Sequence, residues 1–133
     1  DLIWRNEDDY QYSWMSFIIV GNKMIVLDDL YEYLIAYDII DGHEIWLTKS
    51  SSTIDYMQEL NGIVYFRCAA DGRIHAVEAE TGKYIWHLIS PDKKDDVYNN
   101  FMRQCTVVPG KDGEKGRVVV SSFTHAYCYE AAR

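Results

Sequence analysis

Four histidines, three cysteines and several paired carboxylates are the residues of this 133-residue chain whose chemistry could reach beyond packing, and their spacing decides what kind. His43, His75, His87 and His125 stand 32, 12 and 38 residues apart, and none has a partner at i+2 or i+4. That is not the spacing of a histidine metal site. His43 falls at a turn position that holds Lys83 in a second, similar stretch, and reads as an exposed turn residue. Cys68, Cys105 and Cys128 are odd in number and lack a Cys-x-x-Cys spacing, which argues against structural zinc and against a full disulfide framework. Each lies in an apolar, strand-like context, where cysteine behaves as a small buried hydrophobe; one disulfide stays open, and so does the redox compartment. Asp8-Asp9, Asp28-Asp29 and Asp95-Asp96 are oxygen donors suited to Ca²⁺. None continues into an Asp-x-Asp-x-Asp-Gly loop, so solvated loop charge is the expectation. Ser121-Ser122 with His125, or Ser50-Ser51-Ser52, would be a nucleophile with its base, but no Gly-x-Ser-x-Gly turn presents them. Tyr10, Tyr12, Trp14, Tyr31, Tyr33, Tyr56 and Tyr98 lie in or beside connecting segments. Aromatic rings suit flat peptide or sugar surfaces; packing between repeats is their competing use.

The elements that would position these residues are strands. Ile, Val, Tyr, Phe and Trp number 42, Leu and Ala only 15. β-branched and aromatic side chains favour a pleated, half-buried surface. The apolar share of 48% is enough for a core and excludes wholesale disorder. A net charge of −8 argues against a nucleic-acid backbone or an anionic membrane as the main partner. No apolar run is long enough for a transmembrane helix. The sequence opens at Asp1 without an initiator Met, as a mature product, a trimmed product or a fragment would.

An internal repeat organises the chain. Ala36-Tyr-Asp38-Ile-Ile-Asp-Gly42-His-Glu-Ile-Trp46 recurs 40 residues later as Ala76-Val-Glu78-Ala-Glu-Thr-Gly82-Lys-Tyr-Ile-Trp86. The same shift lays Met24-Ile25-Val26 over Val64-Tyr65-Phe66. A third, incomplete copy runs through Gly116-Arg-Val-Val-Val-Ser and Tyr127-Cys-Tyr-Glu130-Ala131, while Asp1-Leu-Ile-Trp4 matches Lys83-Tyr-Ile-Trp86. In the first copy, short β-rich runs over 17–20, 23–28, 34–39 and 44–47 alternate with turns such as Gly21-Asn22 and Asp41-Gly42. Asn61-Gly62, Asp71-Gly72 and Thr81-Gly82 mark the turns of the second. Four antiparallel strands per roughly 40 residues is the pattern of a β-propeller blade. The fold class expected is all-β, with blades over about 15–48, 53–89 and 101–133, and residues 1–4 as the last strand of a blade. The polar stretches 90–100 and 109–115 read as longer loops around the third blade's first strand.

The pattern Ala-x-Asp-x-x-x-Gly-x-x-x-Trp resembles the tryptophan-docking motif of the PQQ-like, or quinoprotein-type, β-propeller repeats. Ala36, Asp38, Gly42 and Trp46 match it in full; Ala76, Thr81, Gly82, Lys83 and Trp86 match with Glu78 in place of the usual Asp. The third copy keeps Glu130, has Cys128 at the Ala position and lacks its own Gly and Trp. The resemblance implies that these residues and Trp4 hold blade to blade and are not catalytic. Trp suits that role because a large ring with one N–H can wedge between blades, while Ala leaves it room and Gly supplies the turn's positive φ.

Three blades do not close a ring of ordinary geometry. The expectation is therefore a piece of a longer propeller, or a ring completed by a second copy. The resemblance implies a non-enzymatic binding or scaffold module, similar to the lipoprotein propellers of outer-membrane assembly. Such a module would have a protein partner or small ligand, no cofactor and an extracytoplasmic setting. The alternative it implies is a fragment of a quinoprotein dehydrogenase, with PQQ and Ca²⁺ on the propeller axis. Those enzymes often carry a vicinal disulfide, and this chain has no adjacent cysteines.

Overall fold

The computed structural model describes residues 1–52, 54–93 and 100–133, and of residues 13–16 the strand alone. Its described residues are all-β: eleven strands in three antiparallel sheets, with no helix. The first blade is β1 (Tyr12–Val20), β2 (Lys23–Asp28), β3 (Tyr33–Asp38) and β4 (Glu44–Lys49), paired in chain order. The second repeats it as β5 (Gln58–Leu60), β6 (Ile63–Cys68), β7 (Arg73–Glu78) and β8 (Tyr84–Leu88). The third is β9 (Thr106–Val108), β10 (Arg117–Ser121) and β11 (Ala126–Glu130).

Turn chemistry sets the registers. Gly21 takes φ 60 at the first position of a two-residue hairpin, which locks Val20 opposite Lys23. Asn61 and Gly62 are both left-handed, φ 52 and 80, and lock Leu60 opposite Ile63. At the third-to-fourth strand turns, Gly42 N donates to Asp38 O and Gly82 N to Glu78 O, each at 2.9 Å. The ladders of the two blades shift at the same place, between Ala36 and Tyr37 and between Ala76 and Val77. The repeat is thus conformational as well as sequential.

Strand bounds depart from the sequence pattern at the edges. β1 starts at Tyr12 rather than 17, across an irregularity between Tyr12 and Phe17 that breaks the alternation. The buried Asp28 carboxylate holds the chain ahead of it, accepting from Gln11 N at 2.8 Å. Residues 1–4, expected as a blade's last strand, form no strand. Among the described residues no strand lies alongside them, and a strand without a neighbour has no ladder to join.

Alternation along the strands divides the core into layers. Val64 and Phe66 of β6 face the first blade, in a cluster with Ile25, Leu27, Leu34, Ala36 and Trp46. Ile63 and Tyr65 face the third, with Phe101, Cys105, Val118 and Val120. A period of two sends neighbouring side chains to opposite faces, so the second blade is apolar on both. The far face of the first blade, Val26, Ile35 and Tyr37, is covered by Tyr10, Met24 and Tyr33. Gln58 Oε1 of β5 accepts from Val107 N of β9 at 2.9 Å, joining the first strands of the second and third blades. No helix among the described residues is long and apolar enough to cross a membrane.

Candidate functional site

Antiparallel order puts the first-to-second and third-to-fourth strand turns at one end of the blades. The second-to-third turns and the blade-to-blade connections lie at the other. The motif residues sit at the first end. Ala36 pairs across the ladder with Trp46, and Ala76 with Trp86; both alanines are fully buried. Trp46 reaches from the first blade to the second, where its Nε1 donates to Ala79 O at 2.9 Å. A Cβ on Gly82 would stand 2.6 Å from Trp46 Cδ2 and Cε3. Trp4 makes the same contact one blade earlier: Nε1 donates to Ile39 O at 2.8 Å, and a Cβ on Gly42 would meet Cδ2 and Cε3 at 2.6 Å. Trp86 is half-buried against Tyr65, ring centroids 5.7 Å apart.

Asp38 and Glu78 differ in how they serve the turn. Asp38 Oδ1 accepts from Ile40 N at 2.7 Å and Oδ2 from Asn22 Nδ2 at 2.8 Å. The longer Glu78 overshoots the backbone and instead accepts from Thr81 Oγ1 and from the Arg133 guanidinium. These partners hold its carboxyl below the usual range, Thr81 first and Arg133 next. Thr81 Oγ1 in turn accepts from Lys83 N at 3.2 Å, the counterpart of the bond that Asp41 Oδ1 accepts from His43 N at 3.1 Å in the first blade. Lys23, nearly buried, crosses between blades to Glu80 at 2.7 Å.

The opposite end carries a groove. Asp55, Tyr56, Arg67, Met102, Arg103 and Gln104 line a depression of about 370 Å³ between the second and third blades. It shares Met102 and Arg103 with a second depression of about 500 Å³, reaching Ser121, Ser122 and Phe123. Arg67 forms the floor: its Nε donates to Asp55 Oδ2 at 2.6 Å and its Nη1 to Phe101 O at 3.0 Å. The groove is open, with Tyr56 60% and Phe123 75% exposed among polar neighbours such as Arg103, Gln104 and Ser121. Among the described residues Arg103 has no ion-pair partner, in a chain of net charge −8.

A second polar feature lies at this end, in the second blade. The β6–β7 turn brings Cys68, Asp71 and His75 together, each offering a ligand atom within 4.8 Å of the others. His75 Nε2 bonds Asp71 Oδ2 at 2.8 Å, its Nδ1 bonds Tyr84 Oη at 2.6 Å, and its ring stacks on Phe66. Burial works against the Asp71 charge, but the bonds from His75 and Arg73 N outweigh it and hold the carboxyl below the usual range. Burial, then the Asp71 charge, pushes both the Cys68 thiol and the Tyr84 phenol up to about 12. The sequence pattern missed this set because it mixes three residue types; the signal was Cys-x-x-Asp-x-x-x-His across the Asp71-Gly72 turn.

Of the other candidates weighed in the sequence, none is assembled into a site among the described residues. Ser122 Oγ accepts from Thr124 N and His125 N, an ordinary turn, while the His125 ring bonds Thr124 and Asp92. Asp28 accepts from Leu30 N and Tyr31 N as well as Gln11 N, which leaves it a turn cap. His43 bonds Asp41 on the exposed turn. Of the aromatic residues, Tyr10, Tyr12 and Tyr37 pack on one another and Tyr56 rims the groove. Asp95, Asp96 and Tyr98 lie outside the described residues, as does the Trp14 side chain.

Cys68, Cys105 and Cys128 are free, and the first two are buried. Burial pushes the Cys105 thiol, like that of Cys68, up to about 12, and only a thiolate reacts readily. A thiol reagent is expected to label Cys128 of the folded chain at once, and the other two only as fast as the chain opens. Three thiols reacting alike would contradict this packing.

No protein-family profile and no curated protein matches the chain. Solved structures do match in fold. BamB from Moraxella catarrhalis is 22% identical, with a TM-score of 0.61 over 86% of this chain and 32% of its own. Sqt1 from Saccharomyces cerevisiae is 12% identical, with a TM-score of 0.67 over 89% of this chain and 31% of its own. The chain spans about a third of the length of these two structures. At these identities the likeness establishes the architecture alone: the sheets are β-propeller blades.

Proposed function

We propose that this region is a non-enzymatic β-propeller interaction module of the PQQ-like repeat type, in an extracytoplasmic setting, which holds a protein partner at its groove end. The single observation that carries the reading is the groove itself, where exposed Tyr56, Met102 and Phe123 surround a cation without an ion-pair partner among the described residues. Contiguous exposed apolar surface rimmed by polar groups is typical of interaction sites. The indole contacts of Trp4 and Trp46 support the accompanying reading that Ala36, Asp38, Gly42, Ala76, Glu78, Thr81, Gly82 and Trp86 hold blade to blade.

The test is a photo-crosslinking residue placed at Phe123 or, for comparison, at exposed Ile40 on the opposite end. Crosslinks to one discrete partner are expected from Phe123 and not from Ile40; equal, diffuse crosslinking from both would overturn the reading. The proposal includes no cofactor. A rise in Tm on adding PQQ with Ca²⁺, or dye-linked alcohol oxidation, would instead favour a quinoprotein dehydrogenase.

A further inference from the structure

We infer that Cys68, Asp71 and His75 form a binding site for a zinc-like divalent ion at the β6–β7 turn, where the second blade packs on the first. The residue types are thiolate, carboxylate and imidazole, the donor set of zinc rather than of Ca²⁺ or Mg²⁺, which take oxygen. Their ligand atoms already lie within 4.8 Å of one another. Zinc ligands in a tetrahedron stand roughly 3.3–3.8 Å apart, from bonds of about 2.0–2.3 Å. Side-chain rotation of about an ångström therefore closes the site.

The repeat supplies an internal comparison. The first blade builds the same hairpin with Asp28, Tyr31, Ile35 and Glu44 at the positions of Cys68, Asp71, His75 and Tyr84. A blade therefore does not need the polar set in order to fold. The set is also oriented. Asp71 Oδ1 is occupied by Arg73 N at 2.9 Å, which leaves Oδ2 on the side of the imidazole. His75 is fixed by its stack on Phe66 and by Tyr84 at Nδ1, an outer-shell partner of the kind that orients metal-bound histidines. Cys68 and His75 are buried, while the Asp71 side chain is 27% exposed and marks the side open to solvent.

Binding has a defined proton balance. The ion displaces the Cys68 thiol proton to solvent and takes the Nε2 lone pair, and the imidazole proton moves to Nδ1, where it donates to Tyr84 Oη. One proton leaves per ion, and no oxidant or reductant takes part.

Titration of the metal-free chain with Co²⁺, followed by Zn²⁺ displacement against a chromogenic chelator, tests the site. One equivalent is expected to produce the near-ultraviolet thiolate-to-cobalt absorption and to raise Tm. Cys68→Ser should abolish the absorption and Cys128→Ser should keep it. Asp71→Asn, which keeps the side chain's size but removes its charge, should weaken binding at least about tenfold. Tyr84→Phe should keep the absorption at about 10–100-fold lower affinity. Circular dichroism of each variant checks that the sheets are intact. No absorption from a folded chain, or absorption surviving Cys68→Ser, would overturn the site.

Discussion

Replacing Trp46 by alanine is expected to lower unfolding free energy by about 3–5 kcal/mol, the range for removing a large buried aromatic. The indole is only 8% exposed, and it closes the layer between the first two blades against Leu34, Ala36, Val77 and Ala79. Truncation opens a cavity there and also strands Ala79 O, which loses its donor at 2.9 Å. Trp46→Phe separates the two effects, because the ring is largely kept and the donor is lost. It should cost less, about 1–3 kcal/mol. Trp4→Ala makes the same loss at a more exposed position and should cost less than Trp46→Ala. Denaturant unfolding followed by circular dichroism reads all three. A loss under about 1 kcal/mol for Trp46→Ala would mean that the indole is not what joins the blades.

Gly82→Ala is the second large effect, expected at about 2–5 kcal/mol, and it has two parts that can be measured apart. The backbone part comes from φ 73, a left-handed conformation costing an L residue with a Cβ about 1–2 kcal/mol. The steric part comes chiefly from the indole, since the new methyl would stand 2.6 Å from Trp46 Cδ2 and Cε3, and in part from Thr48 Oγ1 at 2.7 Å. Gly21→Ala isolates the first part, because Gly21 has φ 60 and nothing within 4 Å of a Cβ. Combining Gly82→Ala with Trp46→Ala should remove the indole's share of the steric part, so the double variant should lose less than the sum. Strict additivity would show that the glycine serves the turn and not the ring.

The two predictions also mark how far the sequence could be read. The glycine and the tryptophan were legible because they recur at a fixed interval, Gly42 and Trp46 to Gly82 and Trp86. Periodicity exposes what every blade needs. It carries no information about what one blade has alone. Cys68, Asp71, His75 and Tyr84 fall on repeat positions that the first blade fills with Asp28, Tyr31, Ile35 and Glu44, so the repeat does not point to them. Their association needs the β6–β7 register, which sets Cys68 opposite Arg73 and Phe66 opposite His75 on one face. It also needs the ladder shift after Ala76, which swings Tyr84 into reach. The groove was equally illegible: Arg67 comes from a strand, Tyr56 and Met102 from two different connections, and Phe123 from a turn.

By itself the sequence determined the all-β class, the blade repeat and the turn positions. These are local properties: side-chain period, glycine at positive φ, and a 40-residue interval. Only the tertiary structure decided that Trp4 lies across the first blade's turn without forming a strand, that two buried thiols differ from an exposed one, and that a turn gathers three ligand atoms. Each of these depends on which residue a neighbouring strand or blade places within a few ångströms. That proximity is set by the packing of layers, which a one-dimensional pattern does not encode.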